Sequence, residues 1–371
     1  MTAAVLFLAL FTQGDRRDDP EARLKEALRL RDLGIHERSE ELIREALRIL
    51  IGDPQRPKDL PKYRAALCEI LLSARKYPEL MIEAGPLRQS PRTRAHGCSL
   101  MACAAWKTGN AAEALASCDE GDRAAADPSG GASPEVRRRL KLVRGLLGWR
   151  RFETATHSFF CPPDSPITAD PAGFGRRLDA AFERVRAEID ATVEGRIEAF
   201  FFNDQAQADA ILERALSFAL PAERVYYARA DGAPGFTIAQ VVSFFAVNRR
   251  EKRPPRLPGL GEGFAASHAG DPLWDRRREE LPRRALKEGT LPALSDLLAR
   301  PAGDAEYYAM TGSFVRWLIR TRGREKFRRL WAEYNDLIGV DGKAADLRRP
   351  WSEVYGASLE SLETAWRSSI K

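Results

Sequence analysis

Between residues 20 and 150 the chain is a succession of short amphipathic helical stripes, none of which can stand alone. Apolar residues recur at helical spacing over 21–33 (Leu24, Ala27, Leu28, Leu30) and break at Gly34. They resume over 36–51 with Leu42, Ile43, Ala46, Leu47 and Leu50. A second pair covers 63–74 and 77–84, with its turn at Lys76, and a third covers 93–107 and then Gly109 to Leu115. A hairpin of this size cannot bury its own apolar face, so neighbours must stack, share a core and leave a concave surface. The breaker-rich run Asp127-Pro128-Ser129-Gly130-Gly131-Ala132-Ser133-Pro134 reads as a linker. One further helix over 135–149 closes the stack with Val136, Leu140, Val143, Leu146 and Leu147, which puts a domain boundary near Arg151.

The second half changes period. Residues 152–160 are β-like (Thr154, Thr156, His157, Phe159, Phe160) before the stop at Cys161-Pro162-Pro163. An amphipathic helix over 174–191 follows, then a strand at 196–202, a helix at 204–218 opened by Asn203-Asp204, and a short strand at 225–228. The remainder is helical. A small sheet followed by helices is an α+β arrangement, and the whole chain is predominantly α.

A chain of 371 residues is comfortable for two domains, and 44% hydrophobic with 30% charged residues is ordinary globular composition. The formal charge of +6 is spread over clusters such as Arg137-Arg138-Arg139, Arg276-Arg277-Arg278 and Arg348-Arg349, interleaved with acids. These read as solvated helix faces, and no nucleic-acid motif accompanies them. Residues 3–11 (AAVLFLALF) are too short to span a bilayer, which takes ~20 residues. With Thr12-Gln13-Gly14 behind them they suit a secretory signal peptide cut near Gly14, so export is the expectation and no stable membrane span follows. A buried N-terminal helix or a misplaced start codon is the alternative. Cys68, Cys98, Cys103, Cys118 and Cys161 show no CxxC spacing. In an exported chain, one bridge among the first four would leave Cys161 over, without the spacing choosing the pair.

Two resemblances follow from these residues. The turn positions Gly34, Lys76 and Gly109 recur close to the ~34-residue period of tetratricopeptide repeats. Gly109-Asn110-Ala111-Ala112-Glu113-Ala114-Leu115 resembles that family's turn and second helix, with small Ala114 at a close-packing position. From Phe152 onward, a series of segments in order resembles the gluzincin-type (peptidase MA-like) domain. These are His157-Ser158-Phe159, the helix over 174–191, the strand over 196–202 and Leu257-Pro258-Gly259-Leu260-Gly261-Glu262-Gly263-Phe264-Ala265, then Glu288-Gly289-Thr290-Leu291, the helix pair around Tyr308–Phe327 and the closing segment from Tyr355 to Trp366. The expected organisation is a signal peptide at 1–14, a tetratricopeptide-like α-α superhelix at 20–150, and a degenerate zincin-like domain with a small sheet at 151–371.

The resemblance implies a zinc site, and this sequence lacks it. In gluzincins two histidines one turn apart and a glutamate on the next helix hold Zn²⁺, while a glutamate inside the first helix is the general base. Here Ala239 and Ser243 stand at the histidine positions, Gln240 at the base, and only Glu262 matches. An amide cannot accept a proton near neutral pH, and one carboxylate is not a zinc site. The expectation is therefore a protein without cofactor or catalysis that binds a protein or peptide segment. Glu262 is expected to bond backbone amides or an arginine such as Arg249, Arg250 or Arg253. The competing reading is a hydrolase whose unorthodox site gathers Gln240, Glu262, His268 and Tyr308. A metal site from His157, Glu262 and His268 is disfavoured, since a six-residue offset does not share one helix face. A third reading fills the cleft with Phe244, Phe245 and Phe264, making the domain a structural cap. No P-loop, GxGxxG after a strand or GxSxG elbow is present, and Gly259, Gly261 and Gly263 follow a loop instead.

Overall fold

The computed structural model describes residues 19–370 except 54, 128–131, 214–215, 247–257, 271, 301–302 and 337–348. The leader expected at 1–14, Arg249, Arg250, Arg253, Leu257, Arg348 and the middle of the 127–134 linker expected from composition therefore lie outside the described residues. The described residues form two compact units. One runs up to Gly148 and includes Ala210–Glu213; the other runs from Trp149 onward.

The first unit is entirely helical: α1 (Pro20–Asp32), α2 (His36–Gly52), α3 (Leu60–Ser73), α4 (Tyr77–Gln89), α5 (Arg94–Lys107), α6 (Ala111–Ala126) and α7 (Pro134–Leu146). Helix starts are set locally: Asp19 and Asn110 cap α1 and α6 through Oδ1, Ser133 caps α7 through its hydroxyl, and Pro20 and Pro134 occupy the first turn. The hairpin turns repeat one geometry. Gly34, Arg75 and Gly109 adopt φ of 69°, 62° and 83°. Each is followed by an N–H that reaches back to the helix: Ile35 to Leu30 O (2.9 Å), Lys76 to Leu71 O (2.9 Å) and Asn110 to Ala105 O (2.8 Å). This is the left-handed cap that closes a helix on its own carbonyls. The second turn pivots on Arg75, one residue before the expected Lys76, because a non-glycine in this conformation is not readable from composition.

The cysteines are unbridged. All five are free, buried thiols. Burial pushes Cys68 and Cys98 up to about 12 and Cys118 to about 11, which leaves them as small hydrophobes of the helical core. Cys161, expected as a leftover, is buried inside a strand.

In the second unit the five strands are β1 (Arg150–Glu153), β2 (His157–Cys161), β3 (Ile197–Phe202), β4 (Phe218–Leu220) and β5 (Val225–Arg229), in the order β1-β2-β3-β5-β4. The central β2, β3 and β5 are parallel and the two edges antiparallel. Helix α8 (Pro171–Ile189) connects β2 to β3 and α9 (Gln205–Leu212) follows β3. The β-like run at 152–160 is a hairpin rather than one strand. The helix expected over 204–218 stops at Leu212, since Glu213 and Ser217 turn to φ of 56° and 68° and Phe218 opens β4.

Alternation divides the sheet residues between two faces. Phe159, Phe201 and Tyr226 pack with Phe174, Leu178 and Phe182 of α8. On the other face Phe160, Phe200, Tyr227 and Phe218 stack across four strands at 4.9, 5.1 and 4.6 Å between successive rings. Eight helices complete the unit: α10 (Gly235–Ala246), α11 (Pro258–Ser267), α12 (Pro272–Lys287), α13 (Leu294–Ala299), α14 (Ala305–Arg322), α15 (Arg324–Asp336), α16 (Arg349–Tyr355) and α17 (Leu359–Ser369). The fold is thus predominantly helical with one small mixed sheet. No helix among the described residues is long and apolar enough to cross a membrane.

Candidate functional site

The segment that carries the site motif forms α10 and α11, and these helices pack together. Ala239 is fully buried with Ile238, Val241 and Val242 in the core under the sheet. One turn on, Ser243 is 8% exposed and its hydroxyl donates to Gln240 O of its own helix at 3.1 Å. Between them Gln240 points its amide at α11, where Nε2 donates to Glu262 Oε2 at 3.3 Å. Gln240 Oε1 is buried and has no hydrogen-bond partner among the described residues. Burial pushes the Glu262 carboxyl above its ordinary range, and the Gln240 bond draws it partly back. Among the described residues Glu262 is bonded by this glutamine, while the arginines expected as its partners, Arg249, Arg250 and Arg253, lie outside them.

The residues present do not fit the zinc that the resemblance implies. The two histidine positions hold a buried methyl and a hydroxyl committed to its own helix, and the one carboxylate is occupied by an amide. Among the described residues no group of three His, Cys, Asp or Glu is placed to hold a metal ion.

The competing four-residue site assembles only in part. Tyr308 lies on the Glu262 side. Burial raises the phenols of Tyr307 and Tyr308, and the nearby Glu262 charge raises both further. The two rings meet at 5.1 Å, Tyr308 meets Phe236 edge-on at 5.6 Å, and Tyr307 donates to Arg300 O at 2.8 Å. His268 is turned elsewhere. Its ring packs on Phe264 at 4.6 Å, and Nε2 lies 3.1 Å from Glu188 Oε2 without the alignment of a hydrogen bond. Burial, with Arg278, Arg184 and Arg316, lowers its pKa to about 3, so the imidazole is neutral. His157 is also separate: it is buried at the start of β2, with Nδ1 2.7 Å from Thr156 Oγ1, and burial lowers its pKa to about 4. Of the three phenylalanines suggested as a plug, Phe264 stacks on Phe327 and Trp331 of α15, while Phe244 and Phe245 pair with each other at 5.3 Å.

The glycines around Glu262 have a steric reason. A Cβ on Gly263 would stand 2.8 Å from Thr311 O and 2.9 Å from Val315 Cγ2, and one on Gly312 would stand 2.9 Å from Ala266 Cβ. Helices α11 and α14 therefore meet backbone to backbone, which fixes the side of α11 that offers Glu262 to Gln240. Gly263→Val is expected to destabilise the second unit by about 2–3 kcal/mol through overpacking, read as a lower urea midpoint. An unchanged midpoint would mean that the helix contact is not tight.

Comparison of the chain with protein-family profiles, curated proteins and solved structures finds no match.

Proposed function

We propose that this is an exported, non-catalytic binding protein. In this reading a tetratricopeptide-like helical array precedes a gluzincin-like domain that has lost its zinc chemistry, and the chain acts by holding a protein or peptide segment. The observation that carries the reading is the Gln240–Glu262 hydrogen bond. The position that needs a general base carries an amide, and that amide is bonded to the one retained carboxylate. Burial of Ala239 and the self-bonded Ser243 point the same way. The repeated left-handed turns at Gly34, Arg75 and Gly109 support the repeat reading of the first unit. Fold and chemistry are separable, so a peptidase-like frame can outlive its reaction as a binding surface.

The test is to incubate the full chain with fluorescent extended peptides, following anisotropy and product formation together. Binding without cleavage is expected, with Tyr308→Ala weakening it roughly tenfold if the Tyr308 side of the α10–α11 pair is the docking surface. Cleavage at a rate that scales with protein concentration would refute the reading.

A further inference from the structure

A second polar feature of this unit lies away from the Gln240–Glu262 pair. A cavity of ≈ 270 Å³ is lined by residues of α8, the end of α11, α12 and α14, and a second of ≈ 220 Å³ shares Asp275, Arg278, Arg316 and Arg320 with it. Four guanidinium groups line the larger one, Arg184, Arg278, Arg316 and Arg320, against the carboxylates of Glu188 and Asp275. The smaller adds Glu279.

The charges are unevenly matched. Arg278 is only 2% exposed; its Nη1 donates to Ala266 O at 2.7 Å and its Nη2 meets Asp275, but its Nε is covered and has no hydrogen-bond acceptor among the described residues. Asp275 forms an ion pair with Nη2 of Arg278, and it also accepts from Arg316 Nη1 at 3.1 Å, so one carboxylate serves two cations. Glu188 lies beside the neutral His268. Among the described residues Arg184 and Arg320, both exposed on the rim, form no ion pair. Burial and the neighbouring Arg316 and Arg320 pull Arg278 down to about 10, as expected of a cation whose burial is under-compensated.

We infer that this arginine crevice binds a phosphate group, either free or as the ester of a small molecule. The guanidinium fork matches two oxygens of a phosphate at once, and several forks share a dianion better than they share monoanionic carboxylates. The larger cavity falls below the ~300–1,000 Å³ of pockets that take drug-sized ligands, which favours a phosphate with a small substituent over a nucleotide. The site is independent of the proposed binding function, and either can fail without the other.

The test measures binding of inorganic phosphate, glycerol phosphate and succinate to the full chain by calorimetry, with chloride at matched ionic strength. Phosphate or its ester is expected to bind better than succinate, and the tighter of the two identifies the source. The double variant Arg184→Ser, Arg320→Ser alters only rim residues and is expected to keep the fold while weakening binding at least about tenfold. Arg278→Lys, checked for folding by circular dichroism, is expected to weaken it further. No heat beyond the chloride control, equal binding of succinate, or unchanged affinity in the rim variant would each overturn the assignment.

Discussion

Replacing Glu69 by alanine is expected to cost the first unit about 3–5 kcal/mol, the range for stranding one partner of a buried ion pair. Glu69 sits on α3 and accepts from both Nη1 and Nη2 of Arg139 on α7, each at 2.8 Å, and from His96 Nε2 on α5 at 2.9 Å. The Arg139 side chain is 12% exposed and that of Glu69 is 20% exposed, so the pair is poorly screened. Burial alone would raise the carboxyl, but Arg139 and His96 outweigh it and hold Glu69 at about 2. The sign follows from the depressed folded value. The contribution is complete above the unfolded carboxyl range, near pH 4.5, and is lost as pH falls towards 2. Urea denaturation at pH 7 should show the loss, and hydrogen exchange should place it in α3, α5 and α7. Adding Arg139→Met to the alanine variant should recover part of it, because the stranded cation is then gone. A loss below about 1 kcal/mol would mean that the bridge is effectively solvated.

Gln240→Glu should be the most informative change in the second unit. It places a carboxylate where the proposed gluzincin-like frame would carry its general base, and it brings two carboxyl groups to a contact now spanned at 3.3 Å. Glu262 is already raised by burial, so a second charge forces one of the two to stay protonated. The repulsion between two partly buried carboxyl groups is expected to destabilise the second unit at pH 7 by about 2–3 kcal/mol. With a raised folded value, stability is retained below the unfolded carboxyl range and lost as pH rises through the folded value. The variant should therefore approach the parent at pH 4 and fall behind it at pH 7. The exchange Gln240→Glu with Glu262→Gln should restore the parent's behaviour. A variant equally stable at both values, or one rescued by added Zn²⁺, would contradict the geometry.

What the sequence made legible follows from the range of each signal. Helix caps act within one turn, so Asn203-Asp204 marks the start of α9, where Gln207 N–H donates to Asp204 Oδ1 at 2.8 Å. The aromatic runs at 157–161 and 197–202 mark the sheet, because each strand buries both faces. The short β4 was not legible, since Glu213 and Ser217 take left-handed geometry without glycine. The runs 137–139 and 276–278 read as solvated faces, and most of their members are. Arg139 and Arg278 turn inward, and only their tertiary partners reveal it. The arginine crevice was invisible for the same reason, as its cations come from three separate helices. The meeting of Gln240 with Glu262 belonged to the competing four-residue reading, whereas the rotation of His268 to the Glu188 side needed coordinates.

The central proposal, a peptidase-like frame without peptidase chemistry, is tested most directly by metal analysis of the purified protein. The measurement is zinc content by mass spectrometry after equilibration with Zn²⁺ and buffer exchange, paired with a peptide hydrolysis assay. Well below one zinc per chain and no hydrolysis above the buffer rate are expected. One tightly held zinc per chain together with hydrolysis, both lost in Glu262→Ala, would contradict it.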